Sequence, residues 1–136
     1  MVEAQIIASI DLGLLAMIGI ERGDGSVQAE RMLERLLAYR VFPDQEGRMN
    51  LALREVGGGL LLVPQITLTA DTQKGNRPGL SRAATPDLGR KLFEELVRLG
   101  QGVGVPVVAG RFGATMQVNL SNEGPVTFLL HVSPDA

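Results

Sequence analysis

The chain has 136 residues and a net charge of −2, and its hydrophobic and charged fractions, 45% and 21%, are typical of a folded globular protein. This length predicts one domain covering residues 1–136. The absence of cysteine excludes a disulfide framework, a thiolate nucleophile and a cysteine-ligated metal, and it favours a cytoplasmic location. The slightly acidic balance argues against non-specific coating of nucleic acid, because such binding depends on neutralising many phosphates.

The first residues of the chain predict two β-strands. Residues 6–10 and 12–20 are both apolar, and the second run is apolar enough to be buried on both faces of a sheet. It is far shorter than the roughly 20 residues that span a bilayer, and no basic region precedes it. We therefore expect neither a signal peptide nor a transmembrane helix.

A helix and two further strands are predicted over residues 25–68. The apolar positions of the helix recur at helical spacing and are Val27, Met32, Leu33, Leu36, Leu37 and Val41. Residues 49–53 and 60–68 are the two predicted strands. Pro64 lies within the second strand and cannot donate to a sheet ladder, so we expect an edge, a bulge or a site at that position.

A polar loop and a second helix are predicted next. Residues 70–85 show no hydrophobic period and are numerous enough for a functional loop. Thr85 supplies a helix N-cap, Pro86 suits the first helical position, and Gly100 is a typical helix stop. A helix is therefore predicted between Thr85 and Gly100.

Two strands are predicted near the C terminus, where apolar and polar residues alternate over residues 114–121 and 126–132. The polar turn between these segments predicts that they pair antiparallel. The whole pattern predicts an α/β fold, α+β-like in arrangement, whose sheets are mainly antiparallel and whose two helices pack outside them.

Two features that could indicate chemistry have simpler interpretations. Gly100, Gly102 and Gly104 form a G-x-G-x-G run, but a dinucleotide-binding run follows a strand and this one follows a helix, so we interpret it as a connecting loop. His131 is the only histidine, which excludes a histidine-rich metal site. It has no serine and acid in a recognisable triad arrangement, so a structural histidine is favoured over a catalytic base.

Four segments, taken together, carry a resemblance to a known family. They are Pro-Gln-Ile-Thr-Leu at 64–68, the loop through Arg77 and Pro78, Gly-Arg-Phe-Gly at 110–113, and Asn-Glu-Gly-Pro-Val-Thr at 122–127. In this order, with supporting matches at 37–42, 47–50 and 69–72, they resemble the bacterial D-aminoacyl-tRNA deacylase family across nearly the whole chain. The resemblance implies a barrel-like, mainly antiparallel fold and a homodimer with active sites at the subunit interface.

The implied reaction is hydrolysis of the ester bond of D-aminoacyl-tRNA, and of glycyl-tRNA mischarged on tRNA-Ala, to free amino acid and tRNA. This is a proofreading step in the quality control of translation. By resemblance, Gln65 and Thr67 are the polar residues of the catalytic site. The residues expected to line the pocket for the terminal adenosine and the ester are Pro64, Ile66, Leu68 and Met116.

The resemblance also implies how the enzyme selects its substrate. Gly124 and Pro125 match the family's Gly-cis-Pro pair, whose backbone carbonyls enter the partner's pocket and exclude an L side chain. Rejection by a rigid clash discriminates more strongly than the loss of a few contacts in a pocket. Lys74, Arg77 and Arg82 lie in the polar loop, and we expect them to contact phosphates at the acceptor end of tRNA.

The family mechanism suits a chain that lacks cysteine and has one histidine. An aminoacyl ester is already activated, so a placed water, backbone N–H donors and the substrate's own ribose 2′-hydroxyl suffice for hydrolysis. Thr67 is a less favoured nucleophile, because a threonine needs an adjacent base and none is apparent. Two alternatives remain, an acceptor-end binding protein with weak catalysis and a deacylase that clears L-alanine or glycine from mischarged tRNA.

The chain departs from the family pattern at several positions. The family usually has serine at Pro64, phenylalanine at Ile66 and Ser-Phe at Gly79-Leu80. Loss of an aromatic ring should loosen packing against adenine, since stacking contributes about 1–3 kcal/mol per base. Residues 2–4 align after the family's first strand, so that strand is expected to be missing.

Overall fold

The computed structural model describes residues 1–134, which form three helices, one 3₁₀ helix and two sheets. In chain order the elements are β1 (Gly13–Ile18), α1 (Ser26–Ala38), β2 (Phe42–Pro43), β3 (Met49–Leu51), α2 (Leu53–Val56), β4 (Gly59–Pro64), the 3₁₀ helix (Ile66–Thr69), α3 (Pro86–Gly100) and β5 (Val107–Ala109). The predicted α/β class is confirmed. No helix in this part of the chain is long and apolar enough to cross a membrane.

The central sheet contains three parallel strands in the order β1-β4-β5. Gly13 pairs with Gly59 at the start of β1 and β4, and a Cβ on Gly13 would lie 1.9 Å from the carbonyl oxygen of Gly59. Only glycine permits that approach. Leu60 and Leu62 of β4 are fully buried, because β4 has a strand on each side and helices against the sheet.

This parallel sheet corrects the prediction of mainly antiparallel sheets. Parallel neighbours need long crossover connections, and the segments containing α1 and α3 provide them. β2 and β3 form the antiparallel pair. Residues 1–134 contain no closed sheet, so the barrel-like expectation is not confirmed. Hydrophobicity identified the buried strands, but it does not specify the direction in which neighbouring strands run.

Both long helices were predicted, and they pack against each other beside the sheet. α1 buries one apolar face and α3 buries another, and the buried leucines and phenylalanine of the two faces are Leu33, Leu36, Leu37, Leu92, Phe93 and Leu96. The hydroxyl of Thr85 accepts a hydrogen bond from the Leu88 N–H at 3.3 Å, which caps α3 as its sequence predicts.

The predicted strands at 6–10, 114–121 and 126–132 are not strands in the structure, and the one predicted at 12–20 is limited to β1. Leu120, Phe128 and Leu129 are 57%, 52% and 78% exposed. Alternating apolar and polar residues indicate a segment with one apolar and one polar face. A β-strand also needs a neighbouring strand to complete its backbone hydrogen bonds. Within one chain, residues 114–132 have no such ladder.

Candidate active site

The carboxyl ends of the three parallel strands meet at one edge of the sheet. The Gln65 N–H donates to the Ile18 carbonyl at 2.8 Å, and the Gly110 N–H donates to the Leu62 carbonyl at 2.8 Å. Segment 64–68 therefore lies between the chain leaving β1 and the chain leaving β5. Ligands of parallel sheets commonly bind outside the carboxyl ends of the strands, so this edge is a candidate site on physical grounds.

Gln65 and Thr67 are joined by their side chains. The Gln65 Nε2 donates to the Thr67 Oγ1 at 2.5 Å, with Gln65 half-buried and Thr67 exposed. The Thr67 hydroxyl accepts this bond and so keeps its own proton for donation to a ligand.

The strand predicted over residues 60–68 ends at Pro64, and the chain continues into the 3₁₀ helix. Pro64 has no N–H with which to continue the hydrogen bonds of the sheet.

Gly19 allows this turn to approach β1 closely. A Cβ at this position would lie 2.9 Å from the Thr69 Cγ2, 3.2 Å from the Leu68 Cβ and 3.3 Å from the Gln65 carbonyl oxygen. Thr69 is buried, and its hydroxyl donates to the Ile66 carbonyl at 2.8 Å. Gly19 was not singled out from the sequence, where the available signal was a glycine inside an apolar run.

Met116 and Pro64 both lie beside Gly110, although the two residues are far apart in the chain. A Cβ on Gly110 would lie 2.8 Å from the Met116 Sδ and 3.5 Å from the Pro64 Cδ. Two of the four residues predicted to line the pocket therefore lie near the same glycine. The other two, Ile66 and Leu68, are 50% and 47% exposed on the adjoining turn.

The Gly124–Pro125 peptide bond is cis, as predicted, and both residues are exposed. The atoms nearest to a Cβ on Gly124 belong to Val126. No hydrogen bond within the described part of the chain links Gly124 or Pro125 to segment 64–68. A role for the pair in the site of a second subunit stays a prediction.

The polar loop after the 3₁₀ helix is tied at its base. Asp71 and Gly79 exchange two backbone hydrogen bonds of 2.7 and 2.9 Å. The Arg82 guanidinium lies 3.9 Å from the Asp71 carboxylate, so Asp71 partly neutralises the charge of Arg82. Lys74 and Arg77 are exposed at the tip, and neither forms an ion pair with another residue of 1–134. These two side chains are the loop's available cations.

His131 connects the C-terminal segment to the chain leaving β1. Its Nε2 lies 2.8 Å from the Glu21 Oε1, and the Glu21 N–H donates to the Asp24 Oδ2 at 2.8 Å. Burial raises the pKa of Asp24, Glu21 adds to the rise by repulsion, and the Glu21 N–H and His131 act against it. The His131 side chain is 67% exposed beside Glu21, and its role as a structural histidine stays a prediction. Residues 1–134 contain no group of three or more His, Cys, Asp or Glu side chains that could hold a metal ion.

Comparison with known proteins identifies the family of a chain with this site. Residues 1–131 match the family described as D-Tyr-tRNA(Tyr) deacylase. The chain belongs to this family. The resemblance inferred from segments 64–68, 110–113 and 122–127 and from the loop through Arg77 and Pro78 is thus confirmed, and with it the prediction that the chain is an enzyme of the deacylase class.

Curated relatives of the deacylase family cover nearly the whole chain. It is 58% identical over 134 residues to the D-aminoacyl-tRNA deacylase of Methylococcus capsulatus, covering 98% of this chain and 88% of that protein. It is 55% identical to the D-aminoacyl-tRNA deacylase of Alkalilimnicola ehrlichii, covering 99% and 90%.

Solved structures agree with this fold. The protein described as c-Myc DNA Unwinding Element Binding Protein superposes with a TM-score of 0.91 at 29% identity, covering 98% of this chain and 91% of that chain. A structure described as a probable eukaryotic D-amino acid tRNA deacylase gives a TM-score of 0.60 at 19% identity, covering 80% and 78%, and supports the fold alone.

Proposed function

We propose that this deacylase hydrolyses the ester of D-aminoacyl-tRNA at segment 64–68, releasing the free D-amino acid and tRNA. The observation that carries the proposal is the side-chain pair of Gln65 and Thr67, joined at 2.5 Å on an exposed turn at the carboxyl edge of the parallel sheet. The pair presents a hydroxyl donor on an exposed turn, where the oxygen of an ester can accept from it.

Hydrolysis at this turn proceeds without a side-chain base. Water attacks the ester carbonyl carbon, the bond from that carbon to the ribose oxygen breaks, and the water proton passes through the ribose 2′-hydroxyl to the leaving oxygen. The backbone N–H groups of Ile66 and Thr67 and the Thr67 hydroxyl stabilise the negative charge on the carbonyl oxygen, because the N–H groups of Gln65 and Leu68 already donate to backbone carbonyls. Thr67 acts as a donor rather than a nucleophile, because its hydroxyl faces the Gln65 amide and not a base.

Selection against L-amino acids is assigned to Gly124 and Pro125 of a second subunit in a homodimer. Their exposure in the single chain leaves both backbone carbonyls available to a partner. Leu120, Phe128 and Leu129 are large apolar side chains exposed in the single chain, and they support dimerisation because exposed apolar surface often marks a protein–protein contact. Glycine has no side chain to collide with these carbonyls, so glycyl-tRNA mischarged on tRNA-Ala is a second substrate.

Contact with tRNA is assigned to Lys74, Arg77 and Arg82. The loop that carries them leaves the turn at Ala70, so a terminal adenosine on segment 64–68 places the preceding phosphates near the loop. Local contact of this kind is compatible with a chain whose net charge is −2. We assign this single domain of residues 1–136 to the cytoplasm, where aminoacyl-tRNA is used.

The decisive experiment compares esters on matched tRNAs. D-Tyr-tRNA should be deacylated at least tenfold faster than L-Tyr-tRNA, and Gly-tRNA should also be cleaved. Binding of tRNA without a shortened ester lifetime would instead identify an acceptor-end binding protein. Faster turnover of L-Ala-tRNA than of D-Tyr-tRNA would identify an enzyme that clears L-alanine.

A further inference from the structure

Asn122 makes two hydrogen bonds that enclose the Gly124–Pro125 pair. Its side-chain oxygen accepts from the Val126 N–H at 2.9 Å, and its side-chain nitrogen donates to the Thr127 hydroxyl at 2.9 Å. One amide group therefore joins residue 122 to the two residues that follow the pair. The loop of residues 122–127 is thus closed across its base by the Asn122 side chain and not by pairing between strands.

Gly124 and Pro125 have little means of fixing their own position. Gly124 has no side chain, Pro125 has no N–H, and both residues are exposed. Gly124 has a φ of 126°, and a Cβ there would meet the Val126 Cγ2 at 2.7 Å. The direction of the two carbonyls therefore depends on the residues that flank the pair. Asn122 fixes Val126 and Thr127, the two residues that follow it.

We infer that Asn122 is a positioning residue for stereochemical selection, and that it acts by fixing the direction of the Gly124 and Pro125 carbonyls. The inference rests on the proposed function, in which those carbonyls exclude an L side chain from the site of a second subunit. Asn122 itself does not touch the substrate. Its amide suits the task because one end accepts from a backbone N–H while the other donates to a hydroxyl.

The test is the ratio of kcat/KM for D-Tyr-tRNA to that for L-Tyr-tRNA. Both esters are carried on the same tRNA, so changes in tRNA affinity cancel in the ratio. Asn122→Ala removes both hydrogen bonds and should lower the ratio at least tenfold, chiefly through faster cleavage of the L ester. Asn119→Ala is the matched control, because Asn119 is an exposed asparagine on the same segment, and it should leave both rates unchanged.

Conservative variants separate positioning from general loss of structure. Asn122→Asp keeps an acceptor for the Val126 N–H, and the Thr127 hydroxyl can donate to its second oxygen, so the ratio should stay within about threefold of the unaltered enzyme. Thr127→Val removes one hydrogen bond and should lower the ratio, whereas Thr127→Ser keeps the hydroxyl and should restore it. The two Thr127 variants test the inference if Asn122→Ala does not fold.

Each outcome has a definite meaning. A ratio that Asn122→Ala and Thr127→Val leave unchanged would overturn the inference while the proposed function stands. An unaltered enzyme that cleaves the D and L esters equally would overturn both. A lowered ratio in the two variants, with the melting temperature and the Asn119→Ala ratio unchanged, supports positioning by Asn122.

Discussion

The amide of Gln65 donates to the hydroxyl of Thr67 across 2.5 Å, so the two polar residues of the site act as one unit. Gln65 is half-buried and fixed by its backbone bond to the Ile18 carbonyl, whereas Thr67 is exposed on the 3₁₀ helix. The amide therefore sets the direction in which the hydroxyl can donate. The proposed chemistry uses that donation and leaves attack on the ester to water.

Thr67→Ala should lower kcat by about tenfold and not abolish activity, because one donor to the developing oxyanion is lost while the backbone donors remain; a tenfold loss corresponds to about 1.4 kcal/mol. Single-turnover deacylation of D-Tyr-tRNA measures the loss. Thr67→Ser keeps the hydroxyl and is the control. Complete inactivity of Thr67→Ala, with fold and tRNA affinity intact, would make the threonine a nucleophile or an indispensable holder of water.

Gly19→Ala should lower kcat/KM by about ten- to a hundredfold, because displacing a site by about 1 Å can cost that much. Its Cβ would lie 2.9 Å from the Thr69 Cγ2, so the turn bearing Gln65 and Thr67 must move. Gly102→Ala is the matched control, since the nearest atom to its Cβ is 3.8 Å away. Equal activity of the two variants would mean that the turn tolerates displacement.

Replacing Lys74 and Arg77 together by glutamine should weaken tRNA binding and flatten its salt dependence. Each lost phosphate contact to single-stranded RNA should reduce the slope of log K against log salt by about 0.7. A filter-binding titration across salt concentrations gives the slope. Arg31→Gln with Arg48→Gln changes the same charge at exposed positions elsewhere and should leave the slope unaltered. An unchanged slope in the loop variant would move the footprint to Arg90, Lys91 or Arg111.

If the protein forms the proposed homodimer, light scattering at micromolar concentration should give a mass of twice 14.5 kDa. Leu129→Glu should shift the protein toward the monomer and reduce activity, because Leu129 is 78% exposed in the single chain and would be covered by the partner. Val27 is 68% exposed on α1, so Val27→Glu is the control. A mass of 14.5 kDa for the unaltered protein would contradict a site completed by a second subunit.

Asp24→Asn should stabilise the protein at neutral pH. Burial is the main cause that raises the pKa of Asp24 above the ordinary aspartate value of 3.8, so the folded state favours the protonated acid. That preference is fully present below pH 3.8, and it is lost as the pH rises through the folded-state pKa. Asparagine can still accept from the Glu21 N–H. The melting temperature of the variant should exceed that of the unaltered protein at pH 7, and the difference should vanish below pH 4; the opposite trend would contradict burial as the cause.

Local signals in the sequence predicted the two long helices and the buried strand β4, but not the short helix α2 at Leu53–Val56, part of which was predicted as strand. Thr85 caps α3 and Pro86 occupies its first position, so residues that are neighbours in the sequence determine where this helix begins. The direction of β4 relative to β1 and β5 depends on how distant segments cross over, and apolar composition carries no information about it. Residues 114–132 have the alternation of strands, but a strand forms only where another strand completes its hydrogen bonds.

The site was predictable only in part for the same reason. Gln65 and Thr67 were identified through a family resemblance, and the structure adds the hydrogen bond between them. The contacts of Gly19 with Thr69, and of Met116 with the neighbourhood of Pro64, arise from packing between segments far apart in sequence. Asn122 falls within a recognised motif, yet its two hydrogen bonds become visible only when the loop around Gly124 is folded.

The tied base of the 70–85 loop makes its tip a suitable attachment point for a reporter. Asp71 and Gly79 hold the base together, while nothing lies within 4 Å of a Cβ at Gly75. The chain has no cysteine, so a single cysteine in place of the exposed Asn76 would take one thiol-reactive fluorophore and no other position would be labelled. Emission from that dye would follow the arrival and departure of tRNA in real time, without radioactive substrate and without altering Gln65 or Thr67.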